Sequence, residues 1–208
     1  IYTDHIKEIL KVIGLSFDEE LSQQLHKKEE YFIFFNKLPH YVCDCSRQDI
    51  LKRTGDYHYD GHCRNRKLQF IPGHNSIRFK AENEILDFVI WRKEDLPAYH
   101  LTSIKDDIES EVNVVIRGVD LLESTQMQQQ MLNAINHKTI KFFHHRLLTD
   151  KDGNKLSKSR RDGDLIKLVS NSTSSQILAQ LASLMGLEPA KYCRLEDFST
   201  LNLEDFLV

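Results

Sequence analysis

Residues 150–164 read DKDGNKLSKSRRDGD. Two lysines three apart, Lys155 and Lys158, enclose Leu156 and Ser157, and Ser159 closes the run. Gly153 and Gly163 flank it. A flexible loop with two ammonium groups, hydroxyls and open backbone N–H groups is suited to polyphosphate. In phosphoryl or adenylyl transfer, such cations offset the charge that builds on the leaving phosphates. On composition alone the plainer reading is a solvated turn, since Asp150, Lys151, Asp152 and Asn154 crowd the lysines. The stretch is not a P-loop: Gly-x-x-x-x-Gly-Lys followed by Ser or Thr occurs nowhere in the chain.

Working outward, "IKFFHHRLL" before the loop reads as a buried strand, and "DLIKLV" after it as helical. "SSQILAQLASLMG" is a second helix, with Ser174 or Ser175 as cap, Ile177, Leu178, Leu181, Leu184 and Met185 on one face, and Gly186 as stop. Upstream, "VNVVIRG" is a short continuous apolar run, the pattern of a strand buried on both faces in a parallel sheet. A helix from about Ser124 follows it, with Met127, Met131, Leu132 and Ile135 as its buried stripe. Strand, helix, strand over 112–148 predicts a βαβ unit. "SIRFK" and "LDFVIWR" read as strands of a hairpin across "AENEI". Residues 41–75 look loop-rich. A helix through Glu29 to Leu38 ends at Pro39. The first helix places Ile6, Ile9, Leu10 and Ile13 on one face, with Thr3 or Asp4 as cap and Gly14 as stop.

The 208 residues suffice for one large domain, or for one domain carrying an insertion, and 40% are apolar. The net charge of −3 argues against general coating of nucleic acid and leaves a local basic face open. No run of about 18 apolar residues occurs, so no membrane partner is expected, and no secretory signal is visible. Cys43, Cys45 and Cys63 fall within 21 residues. In a chain without an export signal, clustered thiols point to metal rather than to disulfides. Zinc takes four ligands. Three cysteines leave one place, for which Tyr59, His62 and His58 are candidates, with Asp60 behind them. Three unrelated reduced thiols is the alternative. Cys193 lies far off and reads as a core residue.

"KLSKS" resembles the Lys-Met-Ser-Lys-Ser signature of class I aminoacyl-tRNA synthetases. "DFVIWRKEDLPAYHLTSIKDD", "VIRGVDLLESTQMQQQML" and "LLTDKDGNKLSKS", in this order, resemble the catalytic domain of the glutamyl-tRNA synthetases. "YVCDCS" and "YDGHC" are similar to the short paralogues, which attach glutamate to the queuosine base of tRNA(Asp). The likeness runs from residue 1 to about 165. It implies an α/β protein with a Rossmann-like nucleotide-binding domain, incomplete at its N-terminus, an inserted zinc-bearing α+β subdomain, and C-terminal helices. Residues 1–39 would form the helical part of the first half of the catalytic domain. Residues 40–97 would form the zinc-binding acceptor subdomain, 98–160 the second half with the lysine loop, and 161–208 the helical end.

The resemblance also implies roles. Tyr99 would line the glutamate pocket, and Arg117, 18 residues later, would hold an amino-acid carboxylate. Lys155 and Lys158 would surround the ATP phosphates, and the backbone of Leu147 and Leu148 would border adenine. Cys43, Cys45, Tyr59 and Cys63 would hold structural Zn²⁺. His100 would border ATP or the amino acid. Substrates would be ATP with Mg²⁺, L-glutamate and tRNA(Asp) bearing queuosine, in a cytoplasmic monomer. Leu156 stands where the signature has Met, and Arg146 where the family usually has Pro. The family's first strand and His-Ile-Gly-His loop would precede residue 1, so the printed chain alone is expected to form no adenylate. Only 49 residues follow Ser159, which favours the short paralogue over a truncated glutamyl-tRNA synthetase. A noncatalytic zinc-stabilised module that binds RNA or protein is the further alternative.

Overall fold

The computed structural model describes residues 2–19, 24–82, 87–137, 140–147, 149, 172–202, 204 and 207. These fall into two units, residues 22–143 and residues 1–21 with 144–208.

The larger unit is built on a four-stranded antiparallel sheet. Its strands are β1 (His40–Cys43), β2 (Ser76–Phe79), β3 (Val89–Arg92) and β4 (Leu96–Pro97), in that spatial order. Cys43 pairs with Ser76 and His40 with Phe79. The β2–β3 ladder shifts register between Ile77 and Arg78. Ile77 and Phe79 alternate inward on β2, and Ile90 and Trp91 are wholly buried on β3. Helices α1 (Tyr2–Val12) and α2 (Lys28–Phe35) come first in the chain, and α2 belongs to this unit. Its Tyr31, Phe34 and Phe35 join Phe79, Ile90 and Trp91 in the core, with Phe35 and Trp91 in ring contact at 5.2 Å. Each fully buried large side chain contributes about 1.5–3 kcal/mol.

Residues 41–75 are not only loop. Helix α3 (Arg47–Thr54) starts at a reciprocal cap: Asp49 N–H donates to Ser46 Oγ while the Asp49 carboxylate accepts from Ser46 N–H. Gly55 ends it at φ 80°, a left-handed conformation that needs no side chain. Helix α4 (Tyr99–Glu109) buries Leu101 and Ile104. Strand β5 (Val114–Gly118), helix α5 (Leu122–Ala134) and strand β6 (Lys141–His145) follow in the expected strand, helix, strand order, and β5 and β6 neighbour each other in a two-stranded sheet. The expectation that "VNVVIRG" is buried on both faces is corrected. Val114 and Ile116 are 44% and 51% exposed, because the described residues supply no layer over that side. The β6 strand is likewise only partly buried.

In the other unit, α1 begins at Tyr2, ahead of the expected cap. Helix α6 (Ser174–Leu184) is capped by Thr173, which exchanges bonds with Gln176, rather than by Ser174 or Ser175. Cys193 is half-buried rather than in the core. The "DLIKLV" helix and the lysine loop lie outside the described residues. Among the described residues no helix is long and apolar enough to cross a membrane.

Candidate functional site

The three clustered thiols converge. Cys43 ends β1, and Cys45 stands immediately before the Ser46 cap of α3, so strand end and helix start aim both sulfurs at one point. Past Gly55 the chain returns. Gly61, at φ 71°, turns it so that Tyr59 Oη accepts the Cys63 N–H at 2.8 Å. The Sγ atoms of Cys43, Cys45 and Cys63 all lie within 4.8 Å of one another, and Cys45 and Cys63 are 3.5 Å apart. Around tetrahedral zinc, sulfurs at about 2.3 Å from the ion are about 3.8 Å from each other. The spacing therefore fits one such ion, and the group could hold a metal.

For the fourth place, Tyr59 Oη is 3.5 Å from Cys43 Sγ, and Tyr59, Cys43 and Cys63 are buried. His58 is exposed and turned to Asp56 at 3.1 Å. Asp60 takes two bonds from Arg53, and His62 is exposed with its backbone N–H on Asp60. Burial and the Cys43 contact raise the Tyr59 phenol well above its ordinary range. Burial also pushes Cys45 up to about 12, with the Cys63 contact adding to it. Burial works the same way on Cys43, but the Arg78 charge and the Tyr59 hydroxyl outweigh it and hold that thiol low.

A second constellation joins α4, β5 and α5. Arg117 on β5 is 9% exposed. Its Nε and Nη2 donate to Thr125 Oγ1 at 3.2 and 2.5 Å, and the Thr125 hydroxyl in turn donates to Leu121 O at 3.1 Å. The guanidinium lies over the Phe142 ring at 4.8 Å. Burial works against its charge, while the nearby Tyr99 and Asp107 favour it. One edge of the fork is thus anchored on Thr125. Tyr99, the first residue of α4, is 55% exposed. The adjacent His100 has its Nδ1 buried without a partner among the described residues, and burial followed by the Arg117 charge lowers its pKa. Tyr99 and Arg117, picked from sequence, are brought together. Thr125 was missed, because nothing in the sequence tells a helix hydroxyl that holds an arginine from one that caps or faces water. Leu147 is half-buried, and Leu148, Lys155 and Lys158 lie outside the described residues.

Fold and sites together define an α/β chain with a thiol cluster. Residues 73–199, more than half of the chain, match the model of the tRNA synthetases class I (E and Q), catalytic domain. The chain belongs to that family, which is one of ligases. A glutamyl-Q tRNA(Asp) synthetase of Photorhabdus laumondii is 34% identical over 176 residues, covering 74% of this chain and 54% of that protein. A glutamate–tRNA ligase of Wigglesworthia glossinidia brevipalpis is 27% identical over 218 residues, covering 89% of this chain and 46% of that protein. The chain thus spans about half the length of these curated relatives. The crystal structure of a glutamate-tRNA synthetase from Elizabethkingia anophelis shares the fold, with a TM-score of 0.61 and 23% identity over 78% of this chain and 43% of that one.

Proposed function

We propose that this chain takes part in ATP-dependent activation of L-glutamate and its transfer to the queuosine base of tRNA(Asp). The observation that carries the reading is Arg117, buried and held on one edge by Thr125. A planar guanidinium prefers carboxylate in a two-bond geometry. Since the α-carboxylate must react, the carboxylate clamped here is that of the side chain. Glutamine would present an amide N–H₂ to the same donors and be rejected.

In the first step an α-carboxylate oxygen of glutamate attacks the α-phosphorus of ATP. The mixed anhydride forms as the bond to pyrophosphate breaks. In the second step a hydroxyl of the queuosine ring attacks the glutamyl carbonyl, and AMP leaves. No protein nucleophile is needed; positioning and charge stabilisation supply the acceleration. Lys155 and Lys158 would offset charge on the departing pyrophosphate, the backbone of Leu147 and Leu148 would border adenine, and Mg²⁺ would accompany ATP. Cys43, Cys45, Tyr59 and Cys63 would hold Zn²⁺ as a structural ion that ties β1 to the start of α3 and to the Tyr59 turn. Similarity to glutamyl-Q tRNA(Asp) synthetases supports the choice of acceptor.

The test uses the complete reading frame. Glutamate-dependent ATP–pyrophosphate exchange is measured first, then glutamate transfer to queuosine-bearing tRNA(Asp), unmodified tRNA(Asp) and tRNA(Glu). Transfer to the queuosine-bearing tRNA alone is expected. Transfer to tRNA(Glu) instead would make the chain part of a glutamate–tRNA ligase. Absence of glutamyl-adenylate would refute both and leave a noncatalytic module.

A further inference from the structure

The sulfur cluster is surrounded by guanidinium groups from three separate elements. Arg53, in the last turn of α3, reaches Cys45 Sγ with Nη2 at 3.6 Å. Its Nε and Nη2 are also fixed on the Asp60 carboxylate, each at 2.8 Å. Arg66, in the turn after Cys63, reaches Cys63 Sγ with Nη1 at 3.5 Å and donates to Asp44 Oδ1 at 2.6 Å. Arg78, on β2 and 8% exposed, lies over the Tyr59 ring with its Cζ 3.7 Å from the ring centre, and donates to Asp87 O. Two of the three sulfurs therefore have their own arginine, and the third arginine lies over the tyrosine beside them.

Ion pairing alone does not account for this pattern. Arg53 and Arg66 are already satisfied by carboxylates, yet both also lean on a thiol. The charge of the centre gives the reason. Three thiolates around a divalent cation leave one net negative charge, and a phenolate would make it two. Uncompensated charge in a buried site is costly. Guanidinium stays ionised under all ordinary conditions and donates in a fixed plane, so it can offset that charge without competing for the metal.

We propose that Arg53, Arg66 and Arg78 are positioning residues of the metal centre: Arg53 and Arg66 donate to the Cys45 and Cys63 thiolates, Arg78 lies over Tyr59, and together they offset the charge of the centre. The proposal rests on the reading that Cys43, Cys45, Tyr59 and Cys63 hold zinc, and goes beyond it to the residues that make the ion stay.

Arg53 and Arg66 carry the test, because Arg78 is buried and its replacement could disturb folding for other reasons. The full chain is stripped of metal under reducing conditions, and its Zn²⁺ affinity is measured by competition with a chromophoric chelator. Arg53→Gln and Arg66→Gln are each expected to weaken zinc on the order of 10–100-fold, the usual effect of removing a group that supports a metal ligand. Arg53→Lys and Arg66→Lys should recover part of the loss, since the charge stays and the planar fork goes. Lys52→Gln, an exposed neighbour on α3, is the control and should leave affinity unchanged.

Cobalt-loaded protein gives a readout that a merely structural role would not move. A hydrogen bond lowers the energy of a sulfur lone pair, so removing it shifts the thiolate-to-cobalt charge-transfer band to longer wavelength. Zinc uptake by the wild-type chain, with weakened affinity and a shifted band in both glutamine variants, supports the proposal. A wild-type chain that takes up no zinc overturns the metal reading itself. Tight wild-type binding with unchanged affinity in Arg53→Gln and Arg66→Gln overturns the arginine assignment alone.

Discussion

Replacing Asp87 by alanine is expected to destabilise the larger unit severely. The carboxylate precedes β3, and its side chain is wholly buried. It accepts from Tyr41 Oη at 2.5 Å, from Arg64 Nε and Nη2 at 2.6 and 2.9 Å, and from Ala81 N–H at 2.8 Å. Arg64 follows Cys63, so the carboxylate ties the thiol loop to the sheet. Truncation takes away the counter-charge that a guanidinium only 10% exposed faces, and strips a phenol and a backbone N–H of their acceptor. Breaking a buried ion pair from one side costs about 3–5 kcal/mol. Against a usual total of about 5–15 kcal/mol, that is a large share. With a urea slope of about 1–3 kcal/mol per molar, the midpoint should fall by at least about 1 M. Trp91 is the only tryptophan and is wholly buried four residues further on, so its fluorescence reports the transition directly. Replacing both charged partners, as Asp87→Leu with Arg64→Met, should recover the part of the loss due to the stranded guanidinium and leave the part due to the Tyr41 phenol and the Ala81 N–H. A single Asp87→Ala variant that unfolds at the wild-type midpoint would refute the reasoning.

Four further outcomes are expected. Arg117→Ala in the complete enzyme should weaken glutamate by about 2–5 kcal/mol, the range for truncating one side of a buried charged pair, and leave ATP affinity unchanged; isothermal titration with each substrate separates the two. Lys158→Ala should slow adenylate formation while changing ATP affinity much less, since only interactions stronger in the transition state accelerate the step; Arg160→Ala and Arg161→Ala, outside the signature, should cost little in the same assay. The His100 pKa is lowered from 6.5, so the unfolded chain binds the extra proton first. The stability this contributes is full above pH 6.5 and is lost as pH falls through the lower folded value, and His100→Gln should flatten the dependence of the urea midpoint over that window. Gln128 is wholly buried, and neither amide atom has a partner among the described residues. Gln128→Met should therefore stabilise the larger unit by about 1–3 kcal/mol, and a loss of stability on urea unfolding would mean that the amide is satisfied by a bound molecule.

Much of the chain was legible because its signals are local. The apolar period of α6, the glycine after it and the hairpin strands around Ile77 and Ile90 each depend on neighbours within a few residues. So does the convergence of Cys43 and Cys45, which one intervening residue already forces together. The α3 cap was also present in the sequence as Ser46 and Asp49, three apart, but the cysteines and glycines around it made the segment read as loop.

What the sequence by itself determined is the inventory: three clustered thiols with a tyrosine nearby, an arginine behind an apolar run, a lysine-rich stretch, and the strand, helix, strand order over 112–148. Only the tertiary structure decided their surroundings. It placed Thr125 under Arg117, three arginines from α3, a turn and β2 around the sulfurs, and Asp87 between the thiol loop and the sheet. It also left Val114 and Ile116 open where an apolar run alone implied burial on both faces. The reason is physical. Propensity, capping and periodicity act through the backbone over a few residues, whereas the charge balance of a buried site and the covering of a strand face are set by whichever distant residues the fold brings within a few ångströms.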